Sequence, residues 1–179
     1  MSEEMDAKSL QVRDAGPADE LGVKELITAA FGQDTEAGLV HRLRHCGALV
    51  LELVAVTDRG RLMGHISFSR VTPADAGPGR ELTICCLAPV SVWPEFQRQG
   101  IGSLLIETAI AKLKDMGEDL ILVLGPPSYY PRFGFDPELA KKVRAPYAGN
   151  AFQALALTDA GKNDLPVEVA FATPFEEFE

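Results

Sequence analysis

Cysteine is scarce in this sequence, which has three in 179 residues, at Cys46, Cys85 and Cys86. An odd number with two adjacent members matches neither a disulfide framework nor a C-x-x-C metal pattern. The sequence also has no apolar run close to the roughly 18 residues that span a bilayer, and no basic region followed by an apolar stretch at its start. We therefore expect a protein of the reducing cytoplasm, without a membrane partner.

The sequence also lacks an excess of basic over acidic residues. The chain has 17 Lys and Arg against 26 Asp and Glu, a formal net charge of −9. A protein that holds nucleic acid neutralises phosphates with cationic side chains, so this balance argues against a nucleic-acid partner. Length and a hydrophobic content of 46% fit one globular domain. We expect a flexible acidic tail over residues 1–8 and a single domain over 9–179, with homodimer formation left open.

Helical and strand patterns alternate along the chain and predict a mixed α/β fold. Strands are predicted over 10–14, 49–57, 62–70, 81–92 and Leu120–Leu124, with closing strands over 152–157 and 167–171. Helices are predicted from Pro17 to Gly32, from Asp34 to Gly47, and over 100–116. The turn over 58–61 joins a hairpin, and residues 72–80 form a loop.

The predicted strand 81–92 is mostly apolar and should be central in the sheet. A helix separates it from Leu120–Leu124, so the two strands can pair in parallel through a right-handed crossover. Pro89 has no N–H to donate to a strand ladder and predicts a local disruption.

Residues 90–102 place a strand end, a proline turn, a glycine loop and a helix start in succession. The N-terminus of a helix binds anions through its unpaired N–H groups, and Gly100 and Gly102 let a phosphate approach the backbone. The dinucleotide fingerprint needs a third glycine where Leu105 stands, and the nucleotide P-loop needs a lysine before Ser103. A phosphate site of another kind is indicated, against the alternative of a glycine turn used for packing.

The hexapeptide Gln97-Arg98-Gln99-Gly100-Ile101-Gly102 resembles the Gln/Arg-x-x-Gly-x-Gly/Ala motif of GNAT-type N-acetyltransferases. The resemblance implies acetyl-CoA as cosubstrate and a mixed central sheet, flanked by helices, with a splayed parallel strand pair. It also implies that a bulged strand pairs with the pantetheine arm and that the loop holds the pyrophosphate. The cofactor-binding residues implied are Val90, Ser91, Val92, Gln97, Arg98, Gln99, Gly100, Ile101, Gly102, Ser103 and Tyr130.

A second match, Tyr129-Tyr130-Pro131-Arg132-Phe133-Gly134-Phe135, resembles the Phe-Tyr-x-x-x-Gly-Phe signature of the same family. It implies that Tyr130 is the general acid for the CoA thiolate, with Tyr129 as the second choice. The resemblance also implies a backbone oxyanion donor at the bulge, for which we choose Val90. Many members carry asparagine where this chain has Gly125-Pro126-Pro127-Ser128, so the cofactor wall is expected to differ there.

We therefore predict an N-acetyltransferase of unassigned substrate, which transfers acetyl to a small-molecule or peptide amine by direct attack in a ternary complex, without a metal. Two alternatives stay open: an acyl-CoA-binding sensor or partner-binding module without turnover, and a structural domain that uses the glycine loop for packing. Acceptor specificity should reside in residues 27–46 and in the late strands.

The general base is not assigned. Glu81 is a candidate, but a solvated charge at a strand end explains it better. His41 and His45 are spaced as a metal pair, but the metalloprotease pattern needs glutamate where Arg42 stands, which favours a solvated basic face. Trp93 and Phe96 either border the cofactor or close the hydrophobic layer.

Overall fold

The fold is described from a computed structural model that covers residues 9–147 and 149–175. The predicted N-terminal tail, residues 1–8, lies outside the described residues. Within the two ranges the elements follow in the order β1 (Gln11–Asp14), α1 (Glu20–Phe31), α2 (Thr35–His45), β2 (Leu49–Val56), β3 (Leu62–Pro73), β4 (Ile84–Val92), α3 (Ile101–Asp115), β5 (Leu120–Leu124), α4 (Pro137–Ala140), β6 (Val143–Arg144), β7 (Phe152–Ala156), α5 (Asp159–Asn163) and β8 (Val167–Ala170).

The strands form a mixed sheet in the order β1-β2-β3-β4-β5-β7, while β8 pairs with both β3 and β6. Strands β1 to β4 are antiparallel neighbours, β4 and β5 are parallel, and β7 runs antiparallel to β5. Alternate residues of β2 face opposite ways: Leu53 and Ala55 pack in the cluster of α3, whereas Val54 and Val56 pack with α1 and α2. The mixed sheet flanked by helices is confirmed.

Helix α3 covers one face of the sheet. Its buried stripe, formed by Ile101, Leu105, Ile106, Ala109 and Leu113, lies at the spacing expected for an amphipathic helix. Glycines bound the helix at both ends, with Gly100 at φ 87° before it and Gly117 at φ 89° after it. Such left-handed backbone suits glycine, which has no Cβ to clash, so the sequence located this helix to within one residue.

Two predicted strand boundaries are wrong. The predicted strand 81–92 begins at Ile84, because the N–H of Thr83 donates to the Asp119 carboxylate (2.9 Å) rather than to a strand neighbour. Strand β3 continues to Pro73, inside the predicted loop, because its end pairs with β8. The partners come from distant parts of the chain, so local patterns do not reveal either boundary.

Three short elements were missed, namely α4, β6 and α5, which have two to five residues each. Asp136 caps α4 by accepting from the Glu138 N–H (2.8 Å), and Thr158 caps α5 by accepting from the Gly161 N–H (3.1 Å). Segments this short have too few residues to show a hydrophobic period. The caps hold α4 and α5, and β6 is held by pairing with β8.

A bulge interrupts β4 at Ala88 and Pro89. Across the β3–β4 pair, Ile66 lies opposite Val90 and Phe68 opposite Leu87, so two residues of β4 face one of β3. The Ser67 hydroxyl donates to the Ala88 carbonyl (2.8 Å), and the Ala88–Pro89 bond is cis. The disruption predicted at Pro89 is confirmed.

The parallel ladder ends at this bulge. The β4–β5 pairs run from Ile84–Leu120 to Leu87–Val123, and none of the described residues continues them. Beyond Leu87 the two strands separate and leave an opening at the edge of α3. The splayed parallel pair is confirmed.

A buried ionic cluster ties α2 to the sheet. Arg44 donates two hydrogen bonds to Glu52 (3.1 and 2.6 Å), and the His65 Nε2 lies 2.8 Å from the same carboxylate. Burial acts to raise the pKa of Glu52, but the hydrogen bonds from His65 and Arg44 outweigh it and lower this pKa from 4.5 to about 2. The folded protein thus favours the ionised carboxylate.

Because the pKa of Glu52 is depressed on folding, its contribution is present above about pH 4.5 and lost as pH falls toward 2. Glu52→Gln should lower the free energy of unfolding at pH 7 by roughly 3 kcal/mol. It should also flatten the fall of stability between pH 4.5 and 2 in urea titrations. Glu25→Gln, on the exposed side of α1, is the control. Equal acid slopes for Glu52→Gln and wild type would contradict this role.

Candidate functional site

A cleft of about 980 Å³ opens where β4 and β5 separate. Val90 and Val92 of β4 line one side, and Leu124, Gly125 and Pro126 at the end of β5 line the other. The N-terminal end of α3 closes it. The volume falls in the range of sites for cofactors and other small molecules.

The N-terminal end of α3 presents backbone donors to this cleft. The Leu104 N–H donates to the Gly100 carbonyl (3.0 Å), which is the first hydrogen bond of the helix. By helix geometry, the N–H groups of residues 101–103 therefore have no acceptor in the preceding turn. Arg98, at φ 66°, also lines the cleft, and the Gln97 side chain donates to the Val92 carbonyl (3.1 Å), which ties the loop to β4. Backbone donors, the helix dipole and Arg98 together make an anion site.

Most of the sequence-predicted cofactor residues meet in the cleft. The lining includes Val90, Val92, Gln97, Arg98, Gly100, Gly102, Ser103 and Tyr130. Ser91, Gln99 and Ile101 do not line it: Ser91 and Ile101 have buried side chains, and Gln99 is exposed. In a strand, neighbouring side chains point to opposite faces, which explains why Ser91 differs from Val90 and Val92.

Tyr130 is buried on the β5 side of the cleft, where its ring meets those of Tyr129 and Phe135 edge to face, at 5.2 and 5.6 Å. A side chain at position 125 would collide with this ring, so Gly125 leaves the space that Tyr130 occupies. Burial raises the pKa of Tyr130 to about 12. The phenol is therefore protonated at neutral pH and can donate a hydrogen bond into the cleft, but it is a weaker acid than an ordinary tyrosine.

Tyr129 lies next to Tyr130, on the side toward α3. Its hydroxyl is 3.3 Å from the place a Cβ would take on Gly102, and the Arg132 guanidinium stacks over its ring at 4.6 Å. Arg132 also donates to the Tyr129 carbonyl (3.0 Å). Tyr129 and Arg132 therefore belong to the part of the cleft next to the anion site.

The thiols near the cleft are not activated. Cys86 lines it, and burial raises its pKa to about 12. Burial likewise raises the pKa of Cys85 well above its ordinary value. A thiol is nucleophilic as thiolate, so neither cysteine suits nucleophilic catalysis at neutral pH.

The other residues weighed from sequence lie away from the cleft. Glu81 is exposed ahead of β4, and the exposed His41 and His45 place their ring centres 4.2 Å apart on α2. In residues 9–147 and 149–175, no group of three or more His, Cys, Asp or Glu is arranged to hold a metal. In the same ranges, no helix combines the length and apolar character needed to cross a bilayer.

Trp93 and Phe96 do not line the cleft. The Trp93 indole donates to the Leu62 carbonyl (2.8 Å), and Phe96 packs against the α3 cluster beneath Arg61 (5.2 Å). Phe96 therefore belongs to the hydrophobic layer, whereas Trp93 ties the loop to Leu62 at the start of β3.

Sequence reasoning missed one part of the lining. It consists of aromatic and aliphatic side chains and one carboxylate, namely Phe31, Glu36, Leu39, Tyr147, Phe152, Phe171 and Phe175. Phe31, Glu36 and Leu39 fall within residues 27–46, and Phe152 and Phe171 within the predicted late strands, where acceptor specificity was expected. No motif identified them individually, because they come from distant segments with no common spacing.

Comparisons with known proteins agree on one family. A model of the acetyltransferase (GNAT) domain matches residues 11–137. The chain is 34% identical over 164 residues to an uncharacterized N-acetyltransferase of Escherichia coli strain K12, YhbS, covering 90% of this chain and 96% of that protein.

Two solved structures are similar over nearly the whole chain. The crystal structure of E. coli YhbS in complex with CoA has a TM-score of 0.85 and 32% identity, with 96% of this chain and 94% of that chain covered. A GNAT family acetyltransferase from Brucella melitensis in complex with acetyl-CoA has a TM-score of 0.76 and 34% identity, with 93% and 97% covered. With the family model matching most of its length, this chain belongs to the GNAT family of acetyltransferases.

Proposed function

We propose that this protein transfers an acetyl group from acetyl-CoA to an amine by direct attack in a ternary complex. The observation that carries the proposal is that the opening between β4 and β5 and the N-terminus of α3 share one cleft. The complexes of YhbS with CoA and of the Brucella protein with acetyl-CoA support a CoA site of this type.

The cofactor would lie along the separated strands. The N–H groups of residues 101–103, the helix dipole and Arg98 would hold the pyrophosphate. The edge of β4 over residues 90–92 has left β5 and would pair with the pantetheine arm as an added strand. These contacts would place the thioester beside the bulge at Ala88 and Pro89.

The backbone N–H of Val90 would stabilise the negative charge that develops on the thioester oxygen. Attack of an amine on the thioester creates an oxyanion, and a fixed N–H donor lowers its energy. Pro89 has no N–H, so Val90 is the first residue after the bulge that can donate. Its position opposite Ile66 in the β3–β4 pair holds this donor in a rigid strand.

Tyr130 would assist the departing sulfur. The amine nitrogen forms a bond to the acetyl carbon, the C–S bond breaks, and the sulfur takes the electron pair. The Tyr130 hydroxyl then donates its proton to the sulfur, which leaves as the thiol. The proton lost by the amine passes to water, and water returns a proton to the Tyr130 phenolate. A pKa of about 12 keeps this donor protonated at neutral pH.

The raised pKa values of the buried thiols favour direct attack over a covalent acyl-cysteine intermediate. Cys86 is the cysteine that lines the cleft in the described residues, and its pKa of about 12 leaves almost no thiolate at neutral pH. An acyl-cysteine intermediate would need that thiolate. The acetyl group therefore passes from CoA to the amine in a single transfer.

Release of free CoA from acetyl-CoA, measured with amines of different size and charge, tests the proposal. Acetyl-CoA should raise the melting temperature in a saturable way, and at least one amine should accelerate CoA release and gain an acetyl group by mass spectrometry. Binding without transfer to any amine would favour the acyl-CoA-binding module. Absence of saturable stabilisation would contradict both.

Gly100→Val should weaken acetyl-CoA binding about tenfold or more by calorimetry, because a side chain at this left-handed position obstructs the phosphate site. Gly117→Val, at the opposite end of α3, is the matched control because it has similar backbone strain (φ 89°) and open space around it. Equal dissociation constants for the two variants would argue that the phosphates bind elsewhere.

Tyr130→Phe should lower kcat by about a hundredfold and leave the dissociation constant of acetyl-CoA unchanged, because it removes only the donor to the leaving sulfur. Tyr129→Phe is the comparison, since its hydroxyl lies beside Gly102. Single-turnover kinetics separates the chemical step from product release. An unchanged rate for Tyr130→Phe, or a larger loss for Tyr129→Phe, would remove Tyr130 from this role.

A further inference from the structure

The cleft continues past the bulge into a region lined by segments in which acceptor specificity is expected, but for which no ligand is identified. Ala88, next to Pro89, packs against the cluster that contains Phe152 and also against the cluster that contains Phe175. The region therefore begins where the thioester would lie. It is separate from the anion site, which is formed by the N-terminal end of α3.

Four aromatic rings form one side of this region, here called the aromatic wall: Tyr147, Phe152, Phe171 and Phe175. Tyr147 meets Phe171 edge to face at 5.2 Å, and Phe171 meets Phe175 edge to face at 5.9 Å. The Tyr147 and Phe152 rings are tilted, with their centres 6.3 Å apart. Phe152 and Phe175 are buried, and Tyr147 and Phe171 are half-buried. Rings that already pack against each other present an apolar surface that needs little rearrangement to bind a ligand.

Helices α1 and α2 supply further lining residues. Phe31, at the end of α1, keeps 43% of its surface exposed, which is unusual for a phenylalanine, and Leu39 of α2 is buried. Together with the aromatic wall they give the region an apolar lining able to cover a ring or a branched hydrocarbon.

Charge is unevenly distributed along the cleft. Arg98 and Arg132 belong to the end with the anion site, as described above. Among the described lining residues, Glu36 is the one carboxylate. It is half-buried in the first turn of α2 and accepts hydrogen bonds from the Gln33 amide (3.0 and 3.3 Å). A carboxylate in an apolar lining attracts a cation.

We propose that the acceptor is a primary amine carried on an aromatic or bulky apolar body, of the arylalkylamine type. This inference rests on the proposed acetyl transfer and names the substrate class of that site. The aromatic wall takes the apolar body, Glu36 draws in the protonated amine, and the amine loses its proton to water before attack. A polyamine fits less well, because a single carboxylate in an aromatic lining leaves its other charges unpaired.

Initial rates with 2-phenylethylamine and with ethanolamine test the substrate class. The two primary amines differ mainly in the apolar ring, so kcat/KM should favour 2-phenylethylamine by at least about tenfold. Binding of 2-phenylethylamine to CoA-saturated protein, measured by calorimetry, gives a readout that does not depend on turnover.

Two substitutions locate the binding region. Phe171→Leu and Phe31→Ala should each lower kcat/KM for 2-phenylethylamine about fivefold or more and change that for ethanolamine less than about twofold. Phe31 is exposed, so its variant should fold even if the Phe171 variant does not. Met116→Leu, at an exposed site beyond α3, is the control.

Glu36→Gln should raise KM for the amine with little change in kcat, and more at low salt than at high salt. Glu25→Gln removes the same charge from the exposed side of α1 and should leave KM unchanged.

The outcomes separate the two proposals. Transfer to ethanolamine or peptides at rates equal to 2-phenylethylamine overturns the arylalkylamine inference but supports acetyl transfer. If 2-phenylethylamine binds, Phe171→Leu weakens this binding and no amine is acetylated, the result supports the binding site and overturns acetyl transfer. If the protein prefers hexanoyl-CoA to acetyl-CoA and Phe171→Leu abolishes this preference, the aromatic wall binds the acyl group. That result would overturn the inference.

Discussion

The end of the parallel ladder after Leu87 and Val123 is the constraint on which the site depends. A parallel pair that continued would fill the space between β4 and β5 with its own hydrogen bonds. Pro89 contributes no N–H, and the bulge turns β4 away from β5 while β3 keeps its pairing with β4 on the other side. The result is a rigid strand with an unpaired edge, which is the surface that a cofactor arm needs.

The cleft that follows from this separation has two chemically different ends. At one, the start of α3 offers backbone N–H groups and Arg98, which favour phosphate. At the other end, aromatic rings from β7 and from the chain around β8 lie opposite α1 and α2, and Glu36 of α2 is part of the lining. The bulge lies between the ends. This arrangement suits the proposed reaction, in which an anionic cofactor and an amine acceptor approach the same carbonyl from opposite directions.

The packing behind the cleft holds these parts in place. Glu52 receives hydrogen bonds from α2 and lies against His65 of β3, so the helix that carries Glu36 and Leu39 is anchored to the sheet. On the β5 side, Gly125 and Phe135 confine the Tyr130 ring. Burial also raises the pKa of that phenol, so it is a weaker acid than an ordinary tyrosine.

Local sequence determined the elements with strong periodicity and marked ends. Helix α3 between Gly100 and Gly117, the strand Leu120–Leu124 and the disruption at Pro89 were all predictable, because apolar spacing, glycine and proline act within a few residues. The family motifs predicted several residues that line the cleft for the same reason. Tertiary structure alone decided the end of β3, the pairing of β8 and the composition of the aromatic wall. These depend on contacts between segments far apart in the chain, and no local pattern records which distant side chains will meet.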